Sequence, residues 1–210
     1  YNMAKSKAYL IPNVEINWIC PKALAKKNIP TKDKLHYSNG IRDYLSNITN
    51  TNVSVIDDAF YINEKIDDTG SMEGIVNWYE FFEPLANSYC NTIITPQGGT
   101  HENGFKTGIF RAFKDYTKLK YEKKSNQINQ EDLFGSSASI LSIFIENPEF
   151  QGQTKEKLSS VEPGKKIEAK TKQIFESWLA KKRQTAEVLF NYAYNRSQLR
   201  LQNRSDQNIE

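Results

Sequence analysis

The sequence predicts an α+β domain that closes with long helices, and three observations predict it. Short segments rich in β-branched and aromatic residues fill the stretch from residue 53 to 94. A helical segment and one further apolar strand follow, and from about residue 163 the apolar periodicity is helical to the end. Hydrophobic residues make up 38% of the 210 and charged residues 25%, a balance that supports a packed core rather than a disordered chain.

Taken in order, Val14 to Trp18 alternate apolar and polar residues with the period of a strand. A polar stretch containing Pro21 and Pro30 reads as a linker. After Gly40, the apolar residues Ile41, Tyr44, Leu45 and Ile48 recur at the spacing of one helix face. Val53 to Ile62, Ile75 to Phe82 and Ser88 to Ile94 read as strands. The acidic turn Asp67-Asp68-Thr69-Gly70 makes the first two an antiparallel pair.

Gln97 to Thr100 breaks the pattern, and a helix is predicted from about residue 101 to 122. Phe105, Ile109, Ala112, Phe113 and Tyr116 lie on its apolar side. Asn129, with Asp132 three residues on, has the form of a capping box for a short helix. Ala138 to Ile145 is apolar enough for a strand buried on both faces, which Pro148 ends, and a polar loop from Gln151 to Lys157 follows. The C-terminal helical region carries two stripes. Ile167, Ile174, Trp178 and Leu179 form one; Val188, Leu189, Tyr192, Ala193 and Leu199 form the other, with a weak break between Lys182 and Thr185.

The net charge of +3 conceals an uneven distribution. Residues 57–83 hold eight acids against Lys65 alone, whereas residues 105–124 hold seven Lys or Arg against two acids, and residues 155–183 hold nine against four. Such basic segments suit a protein that meets phosphate on one side, but from charge alone solvated helix faces are the plainer reading. Cys20 and Cys90 form neither a zinc signature nor a disulfide framework, and two free thiols in a cytoplasmic protein is the plainer reading. No apolar run reaches the ~18 residues of a membrane span. Pro12, Asn13 and Glu15 cut short the apolar residues near the N-terminus, so no secretory signal is read there. The chain opens at Tyr1 in the middle of a pattern and ends in a polar tail, and it reads as a fragment of a longer protein.

Two loops carry the candidate chemistry. Gly98, Gly99 and Thr100, followed by His101 and Glu102, sit directly before a helix whose first N–H groups are free to hold an anion. The glycines also serve a plain strand-to-helix turn, and the loop lacks the Lys-Ser/Thr ending of a P-loop. In the second loop, Gln153 and Thr154 can donate to phosphate oxygens and Lys155 adds a compact positive charge on a long stem. A solvated surface loop is the alternative. His36 and His101 are far apart, no metal site is predicted, and His101 reads as structural.

The stretch from Ser88 to Lys106, centred on Pro96-Gln97-Gly98-Gly99-Thr100-His101-Glu102, closely resembles the signature of bacterial type IIA DNA topoisomerase B subunits, those of gyrase and topoisomerase IV. So does the stretch from Pro148 to Leu158, which contains Gln153-Thr154-Lys155. Ala4 to Leu10 is similar to the end of that family's ATPase domain, and the residues after about 165 to the helices leading toward its DNA-cleavage domain. The segment from Ser88 to Ile93 is closer to topoisomerase IV than to gyrase. Asn39-Gly40 stands where Gly-Gly is usual, Phe134 to Ser137 departs from the common Arg-Glu-Gly-Leu, and Lys106 stands where Arg is frequent.

The resemblance implies a transducer domain of the ribosomal-protein type, with about four strands packed on helices and a left-handed βαβ crossover. The residues by themselves imply the common right-handed hand. It divides the chain into residues 1–30, the end of the ATPase domain and a linker; 31–162, the transducer; and 163–210, helices toward an absent cleavage domain. It assigns Lys155 as a switch lysine on the ATP γ-phosphate, with Gln153 and Thr154 beside it in ATP binding. Lys106 matches a residue near the cavity for the transported duplex, and Arg111 is a further candidate to line it. ATP and Mg2+ are the implied cofactors, with the metal ligands elsewhere in the full-length enzyme. Double-stranded DNA, a topoisomerase A subunit and a second B subunit are the implied partners, with no membrane. The implied role is to couple ATP binding and hydrolysis to DNA strand passage, an isomerase activity that this chain alone lacks. A stand-alone nucleic-acid-binding module, or the middle domain of a chaperone or mismatch-repair ATPase, are the other readings; the two motifs together speak against both.

Overall fold

The computed structural model describes residues 1–68 and 70–207, and the chain forms two compact units, Tyr1–Asn50 and Thr51–Glu210. Thr69 of the predicted acidic turn and the end of the polar tail, residues 208–210, lie outside the described residues. The boundary between the units follows residue 50, whereas the resemblance sets its first division at residue 30.

The first unit contains helix α1 (Asn2–Leu10), strands β1 (Ile16–Ile19) and β2 (Lys32–Leu35), and helix α2 (Ile41–Thr49). Its core is aromatic: Tyr9, 1% exposed, stacks on Tyr37 with ring centroids 3.7 Å apart and on Tyr44 at 4.6 Å. The stretch predicted as a linker is a hairpin. β1 and β2 pair antiparallel from Ile16↔Leu35 to Ile19↔Lys32, and a 3-10 turn at Lys22–Leu24 lies between them. The prolines misled because Pro21 and Pro30 flank the paired residues rather than interrupt them, which leaves every ladder N–H in place.

The second unit is built on a five-stranded sheet of order β3-β4-β7-β5-β6, comprising β3 (Phe60–Lys65), β4 (Ser71–Trp78), β5 (Leu85–Cys90), β6 (Ile93–Ile94) and β7 (Ser137–Phe144). β3 and β4 form the predicted antiparallel pair, although both lie a few residues from the predicted spans. The segment read as one strand from Ser88 to Ile94 is two strands. Asn91 and Thr92 take left-handed φ of 50° and 64°, the hairpin pattern of two positive-φ residues, and β6 folds back on β5. This short strand is the fifth of a sheet expected to have about four.

β5 and β7 are parallel, so the chain between them must cross over, and it does so through helices α3 (Thr100–Gln127) and α4 (Gln130–Phe134). Phe105, Ile109, Ala112 and Phe113, at most 1% exposed, lay α3 on the sheet as its apolar spacing predicts. Gly74 of β4 leaves room for the Phe105 ring, which an added Cβ would meet at 2.9 Å. α3 runs past its predicted end because it kinks at Tyr121 (φ −135°, ψ 47°), whose ring stacks on Phe190 at 4.4 Å. Beyond the kink the last turn is tied back by the Lys114 ammonium, which donates to the Ile128 carbonyl at 3.0 Å. The predicted capping box is present, with Asn129 Oδ1 accepting from Asp132 N–H at 2.9 Å and Asp132 Oδ2 from Asn129 N–H at 2.8 Å.

Helices α5 (Val161–Lys181) and α6 (Arg183–Gln207) break at Lys182, inside the predicted window. α5 buries Ile167 and Leu179 of its predicted stripe, but its centre is Phe175, which the stripe omitted and which packs on Phe60 at 4.7 Å and Trp78 at 6.2 Å. On α6, Leu189 and Ala193 are buried, while Val188 and Leu199 are exposed; Ala186 and Phe190 take their place in the core. α5 lies on α3 backbone to backbone. A Cβ on Gly104 would be 2.3 Å from the Gly164 carbonyl oxygen, and one on Gly108 would be 2.6 Å from that of Glu168. Helices of ordinary side chains stay about 8–10 Å apart, and only glycine permits so close a seam. No described helix is long and apolar enough to cross a membrane.

Candidate functional site

The polar loop around Lys155 is the tip of a small hairpin. β8 (Phe150–Gln151) and β9 (Lys157–Leu158) pair antiparallel, Phe150 opposite Leu158 and Gln151 opposite Lys157. The chain reverses through Gly152 at φ 77° and Lys155 at φ 57°. At the hairpin base Ser159 N–H donates to the Glu149 carbonyl at 2.8 Å, and Glu149 N–H donates to Ser160 Oγ at 2.8 Å. Gln153, Thr154 and Lys155 are all exposed at the tip. The Lys155 ammonium lies 5.8 Å from the centre of the Phe150 ring, and no carboxylate among the described residues forms an ion pair with it. A cation in that state is free to meet an anion from outside.

The structure joins the two candidate loops. Gln97 N–H donates to the Glu156 carbonyl at 3.0 Å, and its side-chain amide donates to Glu156 Oε2 at 2.6 Å. Leu158 N–H donates to the Gly98 carbonyl at 3.1 Å, Gly99 and Leu158 form a parallel bridge, and Thr100 Oγ1 donates to the Ser160 carbonyl at 2.6 Å. A Cβ at Gly99, where φ is 141°, would lie 2.3 Å from the Leu158 carbonyl oxygen. Gly98 and Gly99 therefore serve the hairpin, one through its left-handed φ of 66° and the other through lack of a side chain. The sequence offered these as separate sites because the residues they join are about sixty positions apart.

The start of α3, which the sequence offered to an anion, holds the chain's own. The Glu102 carboxylate lies against Gly98, where an added Cβ would come within 2.9 Å of it, and accepts from Ser88 Oγ at 2.9 Å and from Lys106 Nζ at 2.8 Å. A carboxylate in the first turn also complements the helix dipole. His101 is fully buried, as expected of a structural histidine. Its Nε2 meets Thr95 Oγ1 at 3.1 Å, and Thr95 Oγ1 in turn donates to the Ser88 carbonyl at 2.9 Å. That arrangement assigns the proton to Nε2 and leaves Nδ1 without a partner. Burial pushes the pKa of His101 down to about 4, against the opposing pull of the Glu102 charge.

The two residues proposed for a DNA cavity are engaged within the fold. Lys106 is ion-paired with Glu102 one turn earlier, and Arg111 reaches across from α3 to Glu168 of α5. Among the described residues no group of three or more His, Cys, Asp or Glu could hold a metal ion. The donor set at the hairpin tip fits a terminal phosphate; nothing in it fits Mg2+. Gln97 and Glu156, whose hydrogen bonds tie the two loops together, were not among the candidate site residues read from the sequence. Both lie inside the stretches that carry the resemblance, Gln97 in the first and Glu156 in the second.

Comparison with known proteins places the chain. The family model for DNA gyrase B matches residues 40–209. The chain belongs to the DNA gyrase B family. Within it, the chain is similar to the B subunit of DNA topoisomerase 4 from Caulobacter vibrioides, with 36% identity over 100% of this chain and 31% of the relative. The corresponding Escherichia coli protein is 32% identical over 95% of the chain and 31% of the relative. The chain thus spans about a third of the length of these curated relatives. Among solved structures, the topoisomerase IV ATP-binding domain of Francisella tularensis superposes with a TM-score of 0.75 and 28% identity, covering 95% of this chain and 52% of that one. The 43K ATPase domain of Thermus thermophilus gyrase B gives a TM-score of 0.79 over 100% of this chain and 55% of that one; at 19% identity it speaks for the fold alone. The resemblance to type IIA topoisomerase B subunits, read from the two motifs, is the family that these matches identify.

Proposed function

We propose that this chain is the transducer of a type IIA topoisomerase B subunit and that its β8–β9 tip senses ATP held by a neighbouring domain. One observation carries this reading: an exposed lysine, with no carboxylate partner among the described residues, stands on a hairpin whose base is bonded to the start of α3 and which runs directly into α5. Gln153 and Thr154 donate neutral hydrogen bonds to a terminal phosphate, and Lys155 supplies the charge. These contacts exist only while that phosphate is present, so they bias one orientation of the hairpin and of the helices attached to it. Lys155 also stabilises charge that builds on the phosphate as it is transferred. Mg2+, when bound, neutralises phosphate charge from ligands supplied elsewhere in the whole enzyme.

In the same reading, residues 1–30 end the ATPase domain, 31–162 form the transducer with a left-handed β5–β7 crossover, and the helices from 163 point toward the cleavage domain. The whole protein then works in the cytoplasm with a second B subunit, an A subunit and duplex DNA, and the topoisomerase 4 relatives favour relaxation and decatenation over supercoiling. Lys106 and Arg111 face a competitor in this scheme, because a DNA phosphate must draw them from Glu102 and Glu168.

The test is Lys155→Ala in the full-length enzyme. Loss of one charged contact to a reacting phosphate lowers ATP turnover by about 10²-fold or more, while the thermal unfolding profile stays that of the parent. ATP turnover near the parent rate refutes the assignment.

A further inference from the structure

We infer that Gln97 is a positioning residue for Lys155: it restrains the Glu156 carboxylate and so keeps the neighbouring ammonium open to a terminal phosphate. The inference rests on the reading of Lys155 given above. Gln97 grips Glu156 at two points, with its backbone N–H on the Glu156 carbonyl at 3.0 Å and its amide N–H on Glu156 Oε2 at 2.6 Å. Peptide and carboxylate are therefore fixed together, immediately after the left-handed residue Lys155.

Glu156 is the only acid between Gly152 and Lys157, one position from the lysine that must stay free. An unrestrained carboxylate at an exposed tip competes with a phosphate for the same ammonium. A side-chain amide suits the restraint. It donates a charge-assisted hydrogen bond without adding charge of its own near the phosphate. A lysine at position 97 would hold Glu156 but alter the local field, and a glutamate would repel it.

The experiment uses the full-length enzyme and reads steady-state ATP hydrolysis. Gln97→Ala lowers kcat by about tenfold or more, the scale of one hydrogen bond to a charged group. Adding Glu156→Gln to Gln97→Ala restores kcat to within about twofold of the parent, because a neutral amide does not compete for Lys155 even when unrestrained. A purely structural role for Gln97 predicts no such rescue. Parent-like kcat in Gln97→Ala, or a double variant as slow as the single, overturns the inference. Lys155→Ala, assayed alongside, separates the two levels. If it is slow while Gln97→Ala is normal, only the positioning role fails; if it turns over at the parent rate, the phosphate-sensing reading fails with it.

Discussion

The side-chain amide of Asn91 exchanges two hydrogen bonds with the backbone of Ile145, donating to its carbonyl at 3.0 Å and accepting from its N–H at 3.0 Å. β5 and β7 have parted by then: the last backbone bond of the pair is Asn91 N–H to the Ile143 carbonyl at 2.8 Å. A side chain thus imitates one more residue of strand while the main chain turns away into β6. Asn91→Gly keeps the freedom to adopt φ of 50° but deletes both bonds, at a cost of about 2 kcal/mol. Asn91→Ala adds a left-handed penalty of about 1 kcal/mol. Urea unfolding should rank the parent above Asn91→Gly, and Asn91→Ala last.

Gly104 and Gly152 are both glycines near the site, but for opposite reasons. Gly104 has helical backbone and no space, since an added Cβ meets the Gly164 carbonyl oxygen at 2.3 Å; Gly152 has φ of 77° and open space, with its nearest neighbour at 4.0 Å. Gly104→Ala therefore forces α3 and α5 apart and costs about 3 kcal/mol. Gly152→Ala carries only the left-handed penalty, about 1 kcal/mol. Equal shifts in unfolding midpoint for the two variants would contradict this division.

Asp132, 3% exposed, is the most deeply buried acid among the described residues of the second unit's helices, and Arg200 covers it with Nε to Oδ1 and Nη2 to Oδ2, each at 2.8 Å. The pair pushes the Arg200 pKa further up from an already high value. Arg200→Met leaves the buried carboxylate without its bidentate partner and costs about 3 kcal/mol. Adding Asp132→Asn removes the stranded charge, so the double variant loses less than the sum of the two singles. A double-variant cycle by denaturant unfolding reads this directly, and strict additivity would show the pair to be uncoupled.

His101 makes stability depend on pH. Its folded pKa of about 4 lies below the ordinary value of 6.5, so the unfolded chain binds more protons between those limits. The sign follows: the contribution is complete above pH 6.5 and is lost as pH falls toward 4. By the size of the shift this contribution amounts to about 3 kcal/mol. His101→Gln should flatten the slope of unfolding free energy across that window, measured by urea titration at successive pH values. An unchanged slope would assign the dependence to other groups.

Much of this could be read from residue order. The period of Phe105, Ile109, Ala112 and Phe113 located the buried face of α3, and the spacing of Asn129 and Asp132 gave a cap that the structure forms. Elements set by distant partners were less accessible. Nothing local marks Pro21 and Pro30 as flanking a hairpin, since only the Ile16–Leu35 pairing makes them so. Phe175 fell outside its predicted stripe because its partners, Phe60 and Trp78, lie on strands far back in the chain. At the site, the lysine and its neighbours were visible as donor chemistry. The bonds that join residues 97–100 to 156–160 were not, because hydrogen bonds between separate loops leave no periodic trace. The occupant of the α3 start was hidden for a related reason: Glu102 looks like any first-turn acid until Ser88 and Lys106 are seen to hold it.

The glycine seam between α3 and α5 has a consequence for how the chain can change over time. Where ordinary helices meet, a larger side chain on one can be offset by a smaller one opposite. Here Gly104 and Gly108 abut main-chain carbonyls, which have nothing to trim. Substitution at these positions has no compensating partner, so drift should bypass them and collect on the outward faces of both helices.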